Sequence, residues 1–194
     1  MYVIYMKVFF SASRQGRQYF DIYYGRISSF LKKEGYENIN KELMTKDSGL
    51  FNKKLKTLGI KANNLFYKSM LDKVHHADIC IFECSFQSLT IGFLIEKALE
   101  QNKPVIAVYL EDHQPSFLTG LKDEKFQLIE YNKKNLIDLL KDGIKKADLM
   151  TDKRFNFFIS PTLLTYLNKV SKQLGITKST FIRNLIEEHI KHNK

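Results

Sequence analysis

The stretch Ala77-Asp-Ile-Cys-Ile-Phe-Glu-Cys-Ser-Phe-Gln-Ser88-Leu-Thr-Ile-Gly92-Phe-Leu94-Ile-Glu-Lys-Ala98, followed by Asn102-Lys-Pro-Val-Ile106, decides the fold. Asp78-Ile-Cys-Ile-Phe-Glu83 is a short apolar run, as expected of a strand covered on both faces of a sheet. Thr90 to Gln101 reads as a helix, and Lys103-Pro-Val-Ile-Ala-Val-Tyr109 is the next apolar run. Strand, helix and strand with short connections predict a βαβ unit, and therefore parallel strands.

The same alternation extends in both directions. Val3 to Phe10 reads as a strand, Ser11 to Arg17 as a polar turn, and Tyr19 to Glu34 as a helix stopped by Gly35. Tyr67 to His76 is a predicted helix, Phe126 to Tyr131 a further strand, and Asn135 to Lys146 a closing helix. Lys41 to Asn64, rich in Lys and Asn with weak periodicity, is expected to be a mobile or partly helical excursion. The expected fold is α/β: a small doubly wound, Rossmann-like parallel sheet over residues 1–147, a linker at 148–152, and a separate unit over 153–194. Ligands of such sheets bind beyond the carboxyl ends of the strands. That rule gathers the turns Ser11–Arg17, Glu83–Thr90 and Tyr109–Ser116 around one pocket.

Two blocks carry a family resemblance. Lys7-Val-Phe-Phe-Ser-Ala-Ser-Arg14-Gln-Gly-Arg17 and the Ala77–Ala98 block resemble the nucleoside 2-deoxyribosyltransferase and deoxynucleoside-monophosphate N-glycosidase family over about residues 6–147. The resemblance implies a domain that binds a 2-deoxynucleoside or its 5′-monophosphate and cleaves the glycosidic bond through a glutamate nucleophile. It also implies ligand contacts at Ser11, Ser13, Arg14, Gly16 and Arg17 in the first turn, with Arg14 and Arg17 able to grip a phosphate together. Ser88 takes the place of a phosphate-contacting serine, and Gly92 that of the glycine opening the nucleophile block. Leu94 stands at the glutamate position itself, and Met70 at that of an orienting aspartate. A leucine can form no glycosyl-enzyme bond and stabilise no oxocarbenium charge. Glu96, two residues along the same helix, is turned by about 200° from Leu94. Glu83, at the end of the central strand, is the remaining carboxylate, either as a catalytic or ribose-binding group or as a strand-end acceptor of backbone N–H groups.

The C-terminal run has its own pattern. Arg154-Phe-Asn-Phe-Phe-Ile-Ser-Pro161 alternates as a short strand, Thr162 to Leu174 has one apolar side, Gly175 ends that helix, and Thr177 caps a second helix through His192. A strand and two helices of this size cannot bury a core alone, which predicts dimerisation. Their order and the Gly-Ile-Thr-Lys-Ser turn resemble the ribbon-helix-helix family of repressors and antitoxins. That resemblance implies base reading in the DNA major groove by Arg154, Asn156 and Phe158, and a phosphate clamp at Thr177, Lys178 and Ser179. A helical hairpin serving dimerisation alone is the plainer alternative.

The charge balance agrees with a polyanionic partner: 31 Lys and Arg against 21 Asp and Glu give a net +10. From Asp152 onward eight cations face three acids, a net +5, so half the excess lies in less than a quarter of the chain. An AT-biased proteome is the competing source of lysine. Cys80 and Cys84 lie too far apart along an extended strand for a disulfide and lack the His partners of a zinc site, which predicts buried thiols. No metal or cofactor is expected. No apolar run approaches the ~18 residues of a membrane span, and no secretory leader is apparent, so a cytoplasmic location is expected. His113, with Glu111 and Asp112, falls in the loop on the pocket side; His75 and His76 fall at the opposite end. These readings combine into a homodimeric or larger regulator. Its degenerate deoxyribosyltransferase-like domain would bind a nucleotide or nucleoside-like small molecule, and its head would bind DNA. The alternatives are an active N-glycosidase or deoxyribosyltransferase using a relocated carboxylate such as Glu83, and an antitoxin or defence-system component.

Overall fold

The computed structural model describes residues 6–41, 48–151 and 157–193, which fall into two compact units, Met1–Asp152 and Lys153–Lys194. The larger unit runs β1 (Lys7–Ala12), α1 (Arg17–Lys33), β2 (Glu37–Asn38), α2 (Ser48–His76), β3 (Ile79–Glu83), α3 (Leu89–Glu100), β4 (Val105–Leu110), β5 (Phe126–Tyr131) and α4 (Leu136–Leu149). The five strands form one sheet in the order β2-β1-β3-β4-β5, and every pairing is parallel. Fold class is therefore α/β, with a parallel sheet covered by helices on both faces.

Strand alternation divides the apolar side chains between those two faces. Val8, Phe10, Ala12, Ile79, Ile81, Ile106 and Val108 form one buried cluster with α1 and α4. Their sequence neighbours Phe9, Cys80, Phe82, Val105 and Ala107 form the other, with Met70 and Val74 of α2 and Ile91, Leu94, Ile95 and Ala98 of α3. Every residue of β3 is buried, so this strand is the spine of the sheet. Cys80 and Cys84 are buried free thiols, and burial pushes the Cys80 thiol up to about 12. Cys84 lies one residue beyond the end of β3 rather than on the strand.

The observed elements differ from the sequence expectation where local signals are weak. β1 begins at Lys7 and continues through Ser11 and Ala12, which shortens the expected polar turn. β2 has only two residues, both polar, and so offers no apolar run to detect. Buried Asn40 supports this edge, its side-chain amide donating to the Phe10 carbonyl at 2.9 Å. Within the Lys- and Asn-rich excursion, α2 begins at Ser48 and is broken at Gly59, whose φ of 56° and ψ of −140° are non-helical. α4 continues to Leu149, into residues read as linker. Among the described residues no helix is long and apolar enough to cross a membrane.

The smaller unit contains α5 (Pro161–Leu174) and α6 (Lys178–His192). Their ends follow the chemistry of their residues. Ser160 accepts the Leu163 N–H, Gly175 adopts φ 65°, and the Thr177 hydroxyl accepts the Thr180 N–H at 3.1 Å. Phe157 to Ser160 have no regular secondary structure, and the rest of the expected strand lies outside the described residues. A strand needs a neighbour to pair with, and none is present among the described residues of this unit. Leu163, Leu174, Leu185, Ile186 and Ile190 are each about half exposed.

One close approach locks α1 to the loop after β3. A Cβ built on Gly16 would lie 2.5 Å from the Tyr24 hydroxyl oxygen and 2.6 Å from Phe86 Cβ. Gly16→Ala should therefore cost about 1–3 kcal/mol through overpacking, which a thermal unfolding scan reads as a Tm drop of roughly 2–4 °C per kcal/mol. An unchanged Tm would mean that the contact relaxes freely.

Candidate functional site

In the order 2-1-3-4-5 the connections leaving β1 and β3 diverge to opposite sides, which opens a crevice at the carboxyl ends of these two strands. Glu83, the last residue of β3, is completely buried there. It follows Ile79 and Ile81 at a period of two, so its side chain enters the face covered by α1 and α4. Its Oε1 accepts from the Ser85 hydroxyl, from the Ser85 N–H at 3.3 Å and from the Tyr131 hydroxyl at 2.9 Å. Ser85 Oγ in turn accepts the Leu110 N–H at 2.8 Å and so ties the exit of β3 to that of β4. Glu83 Oε2 is buried and makes no well-formed hydrogen bond among the described residues, and the Tyr24 phenol lies close to the carboxyl. Burial raises the Glu83 carboxyl above the usual carboxylate range, against the donors from Ser85 and Tyr131 that favour its charged form. Burial first, and then the adjacent Glu83, push the Tyr24 and Tyr131 phenols up as well.

Above this carboxyl lies a cavity of about 640 Å³. Tyr19, Phe20 and Tyr23 contribute from α1, Ser85, Phe86 and Gln87 from the turn after β3, and Leu110 and His113 from the exit of β4. The Tyr19 and Phe86 rings are nearly parallel, at 12° with centroids 6.3 Å apart, and Phe20 meets His113 edge-on at 5.1 Å. The turns after β3 and β4 thus converge as their sequence positions imply. The aromatic wall from α1 was not foreseen, since Tyr19 to Glu34 reads as a helix without a role for its aromatic face.

The first turn is organised differently from the expectation. Ser13 Oγ accepts the Gly16 N–H at 3.3 Å, and its carbonyl accepts the Tyr24 hydroxyl, so Ser13 closes the turn on itself. Ser11 is buried within β1. Arg17 pairs with Asp21 at 2.9 Å, whereas Arg14 lies over the Phe66 ring of α2, 5.4 Å from its centroid. In this structure an i,i+4 carboxylate engages the Arg17 guanidinium and an aromatic face that of Arg14. Ser88 is the N-cap of α3 and accepts the Ile91 N–H. A Cβ at Gly92 would meet nothing within 4 Å, so packing does not demand a glycine there.

Leu94 and Met70 are 3% and 5% exposed and belong to one apolar cluster with Phe9, Phe82 and Cys84 on the α2 and α3 face. Glu96 points to solvent. Glu83 and the Leu94 position therefore lie on opposite faces of the sheet, separated by β3 itself. In the smaller unit, Arg154 and Asn156 lie outside the described residues, and Phe158 is fully exposed. Thr177 caps α6, the Lys178 amine donates to Asn168 Oδ1 at 3.0 Å, and Ser179 is exposed. Among the described residues no cluster of three or more His, Cys, Asp or Glu side chains gathers as a metal site would.

No family model matches the chain. Over 146 residues it is 27% identical to the Syntrophotalea carbinolica protein named "Putative 2'-deoxynucleoside 5'-phosphate N-hydrolase 1", an alignment spanning 74% of this chain and 98% of that protein. Among solved structures it is similar to the Clostridium botulinum CMP N-glycosidase BcmB, with 19% identity and a TM-score of 0.49 over 70% of this chain and 98% of that one.

The Glu83 environment sets a pH dependence. A folded-state carboxyl raised above its unfolded value keeps its proton after the unfolded chain has lost it, so stability falls as pH rises from near 4.5 through the raised value. Glu83→Gln, which is neutral throughout, should lack this component. The unfolding free energy of the variant minus that of the wild type should grow with pH across that window in denaturant titrations; a constant difference would show that Glu83 titrates normally.

Proposed function

We propose that the Met1–Asp152 unit is a nucleotide receptor that has lost glutamate-based glycosidic cleavage, and that the C-terminal unit is a ribbon-helix-helix head that dimerises and binds DNA. The observation that carries the first half is the burial of Leu94 and Met70 in one apolar cluster. A nucleophilic carboxylate and its partner would occupy these positions in the family that the chain resembles, and an apolar pair there supplies neither charge nor nucleophile. The likeness to a 2′-deoxynucleoside 5′-phosphate N-hydrolase supports a ligand of the nucleoside 5′-phosphate class. The N-terminus of α3 at Ser88 supports an anion at the crevice, since its first N–H groups and the helix dipole both favour negative charge.

The second half is supported by the two capped helices and by the half-exposed Leu163, Leu174, Leu185, Ile186 and Ile190, which a second copy would cover. The net +5 carried from Asp152 onward suits a DNA backbone. The same relative favours a second reading, an N-hydrolase working through Glu83. Against it, that carboxyl is fully buried, engaged by Ser85 and Tyr131, and on the wrong face of the sheet to replace Leu94.

Calorimetric titration with 2′-deoxynucleoside 5′-monophosphates should give saturable binding, and chromatography of the same mixtures after long incubation should show no released base. Base release abolished by Glu83→Gln would establish the second reading instead. Light scattering should report at least a dimer, and the doubly substituted Arg154→Ala, Asn156→Ala protein should keep that mass while losing a sequence-specific gel shift with its own upstream DNA. Equal shifts by both proteins would remove base reading from these residues.

A further inference from the structure

The aromatic cavity on the α1 face has no role in glutamate-based chemistry, since the nucleophile position lies on the other side of β3. Its composition nevertheless selects a particular kind of guest. Tyr19 and Phe86 present nearly parallel rings, and Tyr19 is 65% exposed, so much of that side chain is accessible to a ligand. Phe20 and Tyr23 close the side of the cavity. Flat aromatic walls bind flat rings, because stacking gains dispersion and quadrupole complementarity together.

The polar groups at the rim narrow the class. Gln87 carries a donor and an acceptor side by side, the pattern that pairs with the edge of a nucleobase. His113 Nδ1 lies 3.0 Å from the Glu111 carbonyl, which can only accept; the neutral ring therefore donates from Nδ1 and offers Nε2 as an acceptor. Ser85, by contrast, is committed to Glu83 and Leu110 and only shapes the floor. At about 640 Å³ the cavity falls in the ordinary range for small-ligand sites and has room for a base with its sugar. Gln87 immediately precedes Ser88, the cap of α3, so a guest whose ring enters the cavity has a helix N-terminus next to it for an anionic group.

From this geometry we infer that the cavity is a nucleobase-binding site, in which the base stacks on the Tyr19–Phe86 pair and its polar edge is read by Gln87 and His113. The inference deepens the receptor reading and rests on it for the ligand's being a nucleotide. It places the base on the α1 face, away from Leu94, and so accounts for recognition without bond cleavage.

The test compares wild type with Tyr19→Ala, Tyr19→Phe and Gln87→Ala by calorimetry, using 2′-deoxynucleoside 5′-monophosphates, free nucleobases and 2-deoxyribose 5-phosphate, which has no base. Tyr19→Ala should weaken nucleotide binding about tenfold, the scale of a lost base–aromatic stack. Tyr19→Phe should bind like wild type, and Gln87→Ala should change the ranking among bases. Affinity for 2-deoxyribose 5-phosphate should be the same in all four proteins. Because Tyr19 is largely exposed, the variants should match wild type in Tm, which separates binding loss from unfolding. Nucleotide binding that is undiminished in Tyr19→Ala would overturn the cavity assignment while leaving the receptor reading intact. If wild type binds no nucleotide, the receptor reading falls; the cavity assignment then survives only if free nucleobases bind and move the Gln87 side-chain amide resonance, and falls if they do not.

Discussion

The structure depends on a central strand with no exposed residue that ends in a carboxylate. β3 is buried from Ile79 to Glu83, so Glu83 has no water to satisfy it and must find its donors inside the protein. Ser85 and Tyr131 supply them, and Tyr24 stands beside them, which joins α1, the β3 exit and β5 through one buried group. Ser85 also receives the Leu110 N–H and fixes the spacing of the β3 and β4 exits. The crevice thus has a rigid floor, and the side chains above it are held by a network rather than by loop length.

Division of the sheet into two faces separates functions that the sequence presents side by side. Glu83 and Leu94 are eleven positions apart and belong to the same motif-bearing block, yet β3 stands between them. The α2 and α3 face is apolar at Met70 and Leu94, while a cavity with polar groups at its rim opens on the α1 side. A buried carboxylate enclosed by donors lies on one side of this division and a buried apolar pair on the other; both follow from which way a residue points.

Much of the larger unit was legible in the sequence because its strands are apolar runs and its helices have regular spacing. β3, β4 and β5, and the caps Gly175 and Thr177, stand where the residues put them. β2 was invisible because two polar residues at a sheet edge leave no hydrophobic signature. The surroundings of Arg14 and Arg17 were not legible for a different reason. Both are basic residues in one turn, but Asp21 and Phe66, one a helical turn away and the other in another helix, compete for them. Phe157 to Ser160 have no regular secondary structure, and the rest of the expected strand lies outside the described residues.

What the sequence determined by itself was the α/β class, the order of the elements, the presence of leucine at position 94 and the helix boundaries of the C-terminal unit, since each rests on local spacing or on the identity of one residue. The tertiary structure alone decided that Glu83 is enclosed rather than presented, that Arg17 meets Asp21 while Arg14 meets Phe66, and that Tyr19, Phe86, Gln87 and His113 share one cavity. Those facts depend on which face of a strand or helix meets which neighbour across long stretches of chain, and periodicity gives the face without naming the neighbour.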